Sequence, residues 1–414
     1  MKIAVVGSGI GGLASAWLLS REHEVTVFEA DDRIGGHVHT HAVADAGAEF
    51  AIDTGFIVFN ERTYPNFVKL LRALDVASQP SDMSFSVADA RTGIEWNGTS
   101  LDTLFAQRRN LLRPSFLRMV ADVLRFNREA TAYADGTAAD LPMRAFLERG
   151  RYRPEFVRLY LVPMAAAIWS MPEGDVLDFP FRTFATFFKN HGMLSVDDRP
   201  RWLAIRGGSR RYVDALVRPF ADRIRTRAMV ARVTRHDAHV EVVANAGPER
   251  FDAIVLACHS DQALAMLADA STQEREILGA VRFQVNDTVL HSDATLMPRT
   301  RKAWASWNYH LDDAPGSRAR LTYWMNRLQT LNSQRPWCVT LNATERIAPA
   351  SIQARMTYHH PVMTAAADAA RARVGEIDGV RRTYFAGAYW GFGFHEDGLN
   401  SALRVAAHFG ASLR

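Results

Sequence analysis

The amino-acid sequence predicts an α/β protein built on a doubly wound parallel sheet, and three observations near its start carry that prediction. The run from Ile3 to Val6 is short, apolar and β-branched, as a strand buried on both faces should be. Gly7, Gly9 and Gly12 follow at G-x-G-x-x-G spacing, with a helix expected from near Ile10. Val25 to Phe28 reads as a second strand ending on an acid, Glu29, which lies 22 residues after Gly7.

Each piece has a chemical reason. Gly7 allows the tight turn, Gly9 lets a pyrophosphate approach the backbone, and Gly12 lets the helix pack against the strand. The free N–H groups from Ile10 and Gly11 onward, at the positive end of that helix, face the phosphates. Glu29 is placed to accept both ribose hydroxyls of an adenosine. Strand, spacing, helix and terminal acid together point to a dinucleotide site rather than a glycine-rich structural turn.

After Glu29 a nicotinamide enzyme usually continues into an ordinary helix. Here the chain reads E-A-x-x-R-x-G-G-H instead, through Glu29, Ala30, Arg33, Gly35, Gly36 and His37, which makes a second glycine turn. The segment resembles the FAD-binding signature of the flavin amine oxidase, phytoene desaturase and protoporphyrinogen oxidase superfamily. The resemblance continues in Asp53-Thr54-Gly55, in Gly207-Gly208 before a helix, and in the block FAGAYWGFGFHEDGLNSALRVAAHF from Phe385. The runs MSFSV from Met83, NHGML from Asn190, TYWMN from Thr322 and GFHEDGLNSAL from Gly393 look like a bacterial subgroup of FAD-dependent oxidoreductases with poorly defined substrates.

This resemblance implies FAD as cofactor and a doubly wound FAD-binding Rossmann-type domain with an inserted mixed α+β substrate domain. The pattern along the chain divides accordingly, with residues 1–75, 206–260 and 375–414 assigned to FAD and 76–205 and 261–374 to substrate. The resemblance also implies cofactor contacts from Thr54, Gly55 and Gly387. It adds Asp397, Gly398 and Leu399 where the last helix begins, and Val230, whose backbone would meet the adenine. His37 stands where amine oxidases commonly carry an arginine.

Composition sets the bounds. At 414 residues and 48% hydrophobic content, the chain is long enough for two or three domains. Two cysteines, Cys258 and Cys338, are too few for a disulfide framework. Met1 runs directly into the first strand, with no room for a signal sequence, and no apolar stretch is long enough to span a bilayer. The expectation is a cytoplasmic protein. A net charge of +4, with acids and bases nearly balanced, argues against nucleic acid as a partner.

Flavin enzymes leave electron transfer to the cofactor, so few catalytic side chains are expected. Tyr389, Trp390, Phe392, Phe394 and His395 crowd the segment before the last helix, with Gly391 and Gly393 between them. An aromatic wall pressed against a planar ligand is expected here, and core packing is the alternative reading. His395, Trp390 and Tyr389 are the catalytic candidates, His395 as acid, base or substrate hydrogen bond. His37, His39 and His41 alternate, but no carboxylate or cysteine completes a metal set, so no metal is expected. His191 and His259 are weaker candidates to line the cleft.

One departure from the amine oxidases bears on substrate. Their lysine, on a strand of the substrate domain, has no counterpart in VRFQVNDTVLH from Val281, which offers Asn286. The segment from Arg108 adds a helix that Ser115 would cap, with Phe116, Leu117, Val120, Val123 and Leu124 on one face and Arg118 and Arg125 on another. An ordinary surface helix and a peripheral membrane contact both fit that pattern. The aromatic insert, the basic helix and the missing lysine together lead to an FAD-dependent removal of hydride from a fatty-acyl or lipid-like small molecule. A small amine as substrate and a non-catalytic flavin-binding lipid carrier or assembly protein are the rival readings.

Overall fold

The computed structural model describes residues 1–137, 139–195, 199–311 and 318–413. Five parallel strands form the first sheet, in the order Ile224–Arg225, Glu24–Phe28, Lys2–Val6, Ala253–Leu256, Thr383–Phe385. Val5 pairs with Val27 on one side and with Val255 on the other. Alternation then sorts the side chains onto two faces. Ile3, Val5, Val25, Val27 and Val255 face the helices Ile10–Leu19, Arg210–Val217 and His395–Ala407, while Ala4, Val6, Ile254 and Leu256 face a three-stranded antiparallel sheet. That sheet consists of Arg232–Arg235, Val240–Ala244 and Gly247–Phe251. Both faces are buried, which is why the parallel strands carry near-continuous apolar runs.

A second sheet of seven strands is drawn from two separated stretches of chain. Its order is Ile352–Pro361, Phe283–His291, Cys338–Leu341, Leu321–Trp324, Trp307–Leu311, Phe85–Asp89, Ile94–Asn97. The seam is the parallel pairing of Trp307–Leu311 with Phe85–Asp89; the other pairings are antiparallel. Helices Pro114–Asp135, Val162–Trp169 and Phe181–Asn190 pack against it through a core dense in aromatic rings, including Phe116, Phe126, Phe156, Phe181, Phe184 and Phe188. Trp202–Ile205 pairs with Val58–Asn60 and with Ser78–Pro80, so short strands link the two bodies where the chain crosses between them.

Helix Pro114–Asp135 corrects two expectations. Its N-cap is Arg113, and Ser115 makes no cap hydrogen bond, because Pro114 takes the first helical position, where its fixed φ and missing N–H cost nothing. The buried face runs through Phe116, Met119, Asp122, Phe126 and Ala130. Leu117 and Leu124 therefore turn outward, 42% and 57% exposed, beside Arg118 and Arg128.

Candidate active site

The first glycine turn is shaped by contacts that its sequence requires. Gly7 has φ +102°, and a Cβ there would lie 2.7 Å from the Ala257 carbonyl oxygen. A Cβ on Gly12 would lie 2.0 Å from the Gly7 carbonyl oxygen, so only hydrogen allows the helix to sit down on the strand. Gly9 differs: a Cβ there would meet nothing within 4 Å. Gly9 is also the N-cap of helix Ile10–Leu19, without a side-chain cap and with no acid in the first turn. The amides of Ile10, Gly11 and Gly12 have no partner among the described residues. Unpaired donors around an open cradle suit a pyrophosphate.

The second glycine turn lies directly on the first. Gly35 N–H donates to the Ser8 carbonyl oxygen at 3.0 Å, and a Cβ on Gly36, at φ +58°, would stand 3.0 Å from Gly9 Cα. Glu29 accepts from Ser8 N–H at 2.9 Å, from Ser8 Oγ at 2.5 Å and from Asp31 N–H at 3.0 Å. Ser8, between the first two glycines of the motif, thus connects acid and turn. Arg33 donates from Nη1 to the carbonyl oxygens of Gly36 and Val38, which spends its guanidinium on holding the turn. Ala30 is exposed beside it. Val230 lies in the loop before strand Arg232–Arg235, not within it. Its side chain is buried, and its backbone N–H and C=O have no partner among the described residues, as an adenine edge would need.

Asp53-Thr54-Gly55 forms a buried knot. Asp53 accepts from Ser209 N–H and Oγ, from Thr40 Oγ1 and from Gln329 Nε2, and burial pushes its carboxyl up to about 7 against those donors. Thr54 Oγ1 donates to the His39 carbonyl oxygen and meets Tyr358 Oη at 2.8 Å. A Cβ on Gly55 would lie 2.1 Å from the His37 carbonyl oxygen. Ser209, Gln329 and Tyr358 are the partners here that local sequence could not supply, since they arrive from distant segments.

The last helix starts at His395, two residues before Asp397. Asp397 reaches back to accept the amides of Phe392 and Phe394 at 3.0 and 2.9 Å, and burial raises its pKa to about 6. Its carboxylate serves the loop. Glu396 accepts the amides of Asn66 and Phe67, capping the neighbouring helix Pro65–Ala73. Gly398 marks a close helix crossing, where a Cβ would stand 2.6 Å from Ile10 Cγ2, and Leu399 is buried beside it. Gly387, at φ +154°, donates its N–H to Ser401 Oγ at 2.8 Å.

The aromatic wall divides in three directions. Tyr389 and Trp390 pack with Val281, Phe283 and Ala367. Phe392 and Phe394 meet Phe187 of the inserted domain at ring distances of 5.5 and 5.1 Å, and His191 stacks on the same Phe187. His395 turns inward: it stacks on Phe56 at 3.6 Å, and its Nε2 lies 2.6 Å from Tyr212 Oη. Burial drives its pKa down to about 3, so its ring is neutral near pH 7. Phe56, Phe67 and Tyr212 thus cage the ring and hold it in place. His37 stacks on Tyr358 at 5.1 Å, with His360 edge-on at 5.3 Å. The rings of His39 and His41 lie 4.0 Å apart, and no cluster able to hold a metal ion occurs among the described residues.

Comparison with known proteins agrees with this geometry. The sequence model of the family described as flavin containing amine oxidoreductase matches residues 10–283. A Mycobacterium tuberculosis protein named as flavin-containing monoamine oxidase AofH is 25% identical over 276 residues, covering 62% of this chain and 56% of its own length. The chain spans about half the length of the relatives it matches by sequence. Cyclohexylamine oxidase from Brevibacterium oxydans superposes with a TM-score of 0.70 over 98% of both chains at 16% identity. A CLA-producing fatty acid isomerase from P. acnes gives 0.69 over 98% of both chains, also at 16% identity. These structural likenesses show the fold. The family match covers most of the chain: FAD is the cofactor, and the chain belongs to the flavin-containing amine oxidoreductase family, whose members are FAD-dependent oxidoreductases.

Proposed function

We propose that the chain removes a hydride from a fatty-acyl or lipid-like substrate and takes that substrate from a membrane surface. FAD supplies the hydride acceptor. The residues then have simple tasks: Gly9 and the uncapped helix receive the pyrophosphate, Glu29 holds the ribose, and Phe187, Phe392 and Phe394 keep water from the junction of the two domains. A neutral, ring-lined junction suits a hydrocarbon chain.

One observation carries the choice of lipid. Among the described residues nine large hydrophobic side chains are exposed, and five of them, Leu101, Leu111, Leu112, Leu117 and Leu124, fall within one short stretch of the inserted domain. Leu112 is 87% exposed. Arg108, Arg109, Arg113, Arg118 and Arg128 interleave with them. The side chains of Arg113 and Arg128 have no ion-pair partner among the described residues, and Arg118 approaches Glu155 only at 4.0 Å. Leucines at the surface beside free cations fit the boundary of an anionic bilayer. Arg125 does not belong to this set: it pairs with Asp122 and lies over the Tyr152 ring at 4.0 Å. No helix among the described residues is long and apolar enough to cross a membrane.

The protein should co-sediment with vesicles containing phosphatidylglycerol, less so as salt rises. Replacing Arg113, Arg118 and Arg128 with Gln should abolish that binding while leaving the flavin spectrum unchanged. Anaerobic bleaching of the flavin by vesicle-held acyl lipid supports catalysis. Bleaching by cyclohexylamine instead, with no vesicle binding at low salt, would return the chain to amine chemistry, as the names of AofH and cyclohexylamine oxidase suggest.

A further inference from the structure

Two asparagines decide where a histidine proton sits. Asn342 Nδ2 donates to the Ala319 carbonyl oxygen and to Asn286 Oδ1, each at 2.9 Å, while its Oδ1 accepts from Asp287 N–H. Asn342 takes φ +56°, a left-handed conformation that asparagine tolerates, and this sets its side chain beside Asn286. With its oxygen turned to Asn342, Asn286 must present its amide nitrogen to His360 Nδ1, 2.9 Å away. His360 Nδ1 accepts, so the imidazole proton lies on Nε2. That N–H has no hydrogen-bond partner among the described residues.

The strand order of the first sheet places this donor. Glu29 follows strand Glu24–Phe28, the glycine turn follows the neighbouring strand Lys2–Val6, and His259 follows the next strand, Ala253–Leu256. A dinucleotide whose ribose is on Glu29 and whose phosphates are over Gly9 thus extends toward His259 at the carboxyl edge of the sheet. His359 stands 5.6 Å from His259, and His37, one residue after the turn that touches Gly9, has His360 at 5.3 Å. Burial, aided by His259 and His359, lowers the His360 pKa to about 4 and keeps its ring neutral.

We propose that His360, held as its Nε2–H tautomer by Asn286 and Asn342, donates a hydrogen bond to the flavin ring and favours the reduced cofactor. Asn286 and Asn342 are positioning residues in this arrangement. The inference rests on the FAD site and is independent of substrate class. A neutral donor stabilises the electron-rich ring without the fixed charge a lysine would bring.

The test uses the full chain loaded with FAD. Long-range 1H–15N correlation spectra of histidine-labelled protein should show His360 protonated on Nε2, and a proton on Nδ1 overturns the proposal. His360→Phe keeps a ring and removes the donor. Asn286→Asp replaces the amide donor by a carboxylate, which draws the proton to Nδ1 and leaves Nε2 bare. Both variants should lose about tenfold in preference for reduced over oxidised FAD, which lowers the two-electron midpoint potential by about 30 mV. An unchanged potential in FAD-loaded His360→Phe overturns the assignment while leaving the flavoprotein reading intact. Purified wild-type protein that takes up no FAD overturns both.

Discussion

Two glycines three positions apart do different work, and single substitutions separate them. Gly9→Ala adds a methyl where the protein itself has nothing, at a φ of −69° that alanine adopts freely. The apoprotein should melt at the wild-type temperature while FAD titration shows binding lost. Gly12→Ala drives a methyl into the Gly7 carbonyl oxygen and should give no folded protein by circular dichroism. Glu29→Ala removes a charged acceptor and should weaken FAD retention by roughly 1.5–3 kcal/mol per hydrogen bond lost, read by fluorescence titration. His395→Ala empties the space between Phe56 and Phe67 and strands Tyr212 Oη. It should cost about 2–4 kcal/mol in urea unfolding, from the cavity and the unpaired hydroxyl together. If stability were unchanged and flavin reduction slowed, His395 would be a reacting residue after all.

Elements of this fold are joined by side chains that cap or pair across them. Glu396 in the last helix caps Pro65–Ala73, and Asp397 beside it secures the aromatic loop, so one helix start organises two neighbours. A buried pair does the same on the other face of the sheet. Arg235 on strand Arg232–Arg235 forms a bidentate pair with Glu274 of helix Thr272–Gly279 and also binds Asp269. Arg235→Ala leaves a carboxylate buried without a cation and should cost about 3–5 kcal/mol in denaturant unfolding. A loss below 1 kcal/mol would mean that water replaces the guanidinium there.

At the scale of the molecule, buried histidines set the acid limit of stability. Burial lowers His191, His291, His310 and His360 to about 4 and His39 and His395 to about 3, against 6.5 for the exposed side chain. Between those values the unfolded chain binds more protons, so this contribution grows as pH rises from about 4 and is complete above 6.5. Asp53 and Asp397 act oppositely: raised to about 7 and about 6, they stabilise most below 3.8 and lose that contribution as pH rises through the raised values. Six histidines outweigh two acids. Calorimetry of the apoprotein should show Tm rising from pH 4 to pH 6.5, and a Tm that falls over this range would show the carboxylates dominant.

The cofactor half of the protein was legible in sequence because its chemistry is local. A strand, three glycines, a helix start and an acid lie within 30 residues, and backbone geometry alone makes them a dinucleotide turn. The helix register was harder to read: Leu117 and Leu124 have the spacing of a buried face, but the large rings at Phe116 and Phe126 claim the core and rotate the leucines outward. The reacting side was not legible. His395 sits in an aromatic loop in sequence and in a cage of Phe56, Phe67 and Tyr212 in space; Asn286 meets His360 and Asn342 only when three strands pair. Local spacing determines which groups bind a pyrophosphate, since successive amides supply them. Burial, tautomer and charge state are decided by the tertiary structure, because they depend on neighbours that the chain brings together from hundreds of residues away.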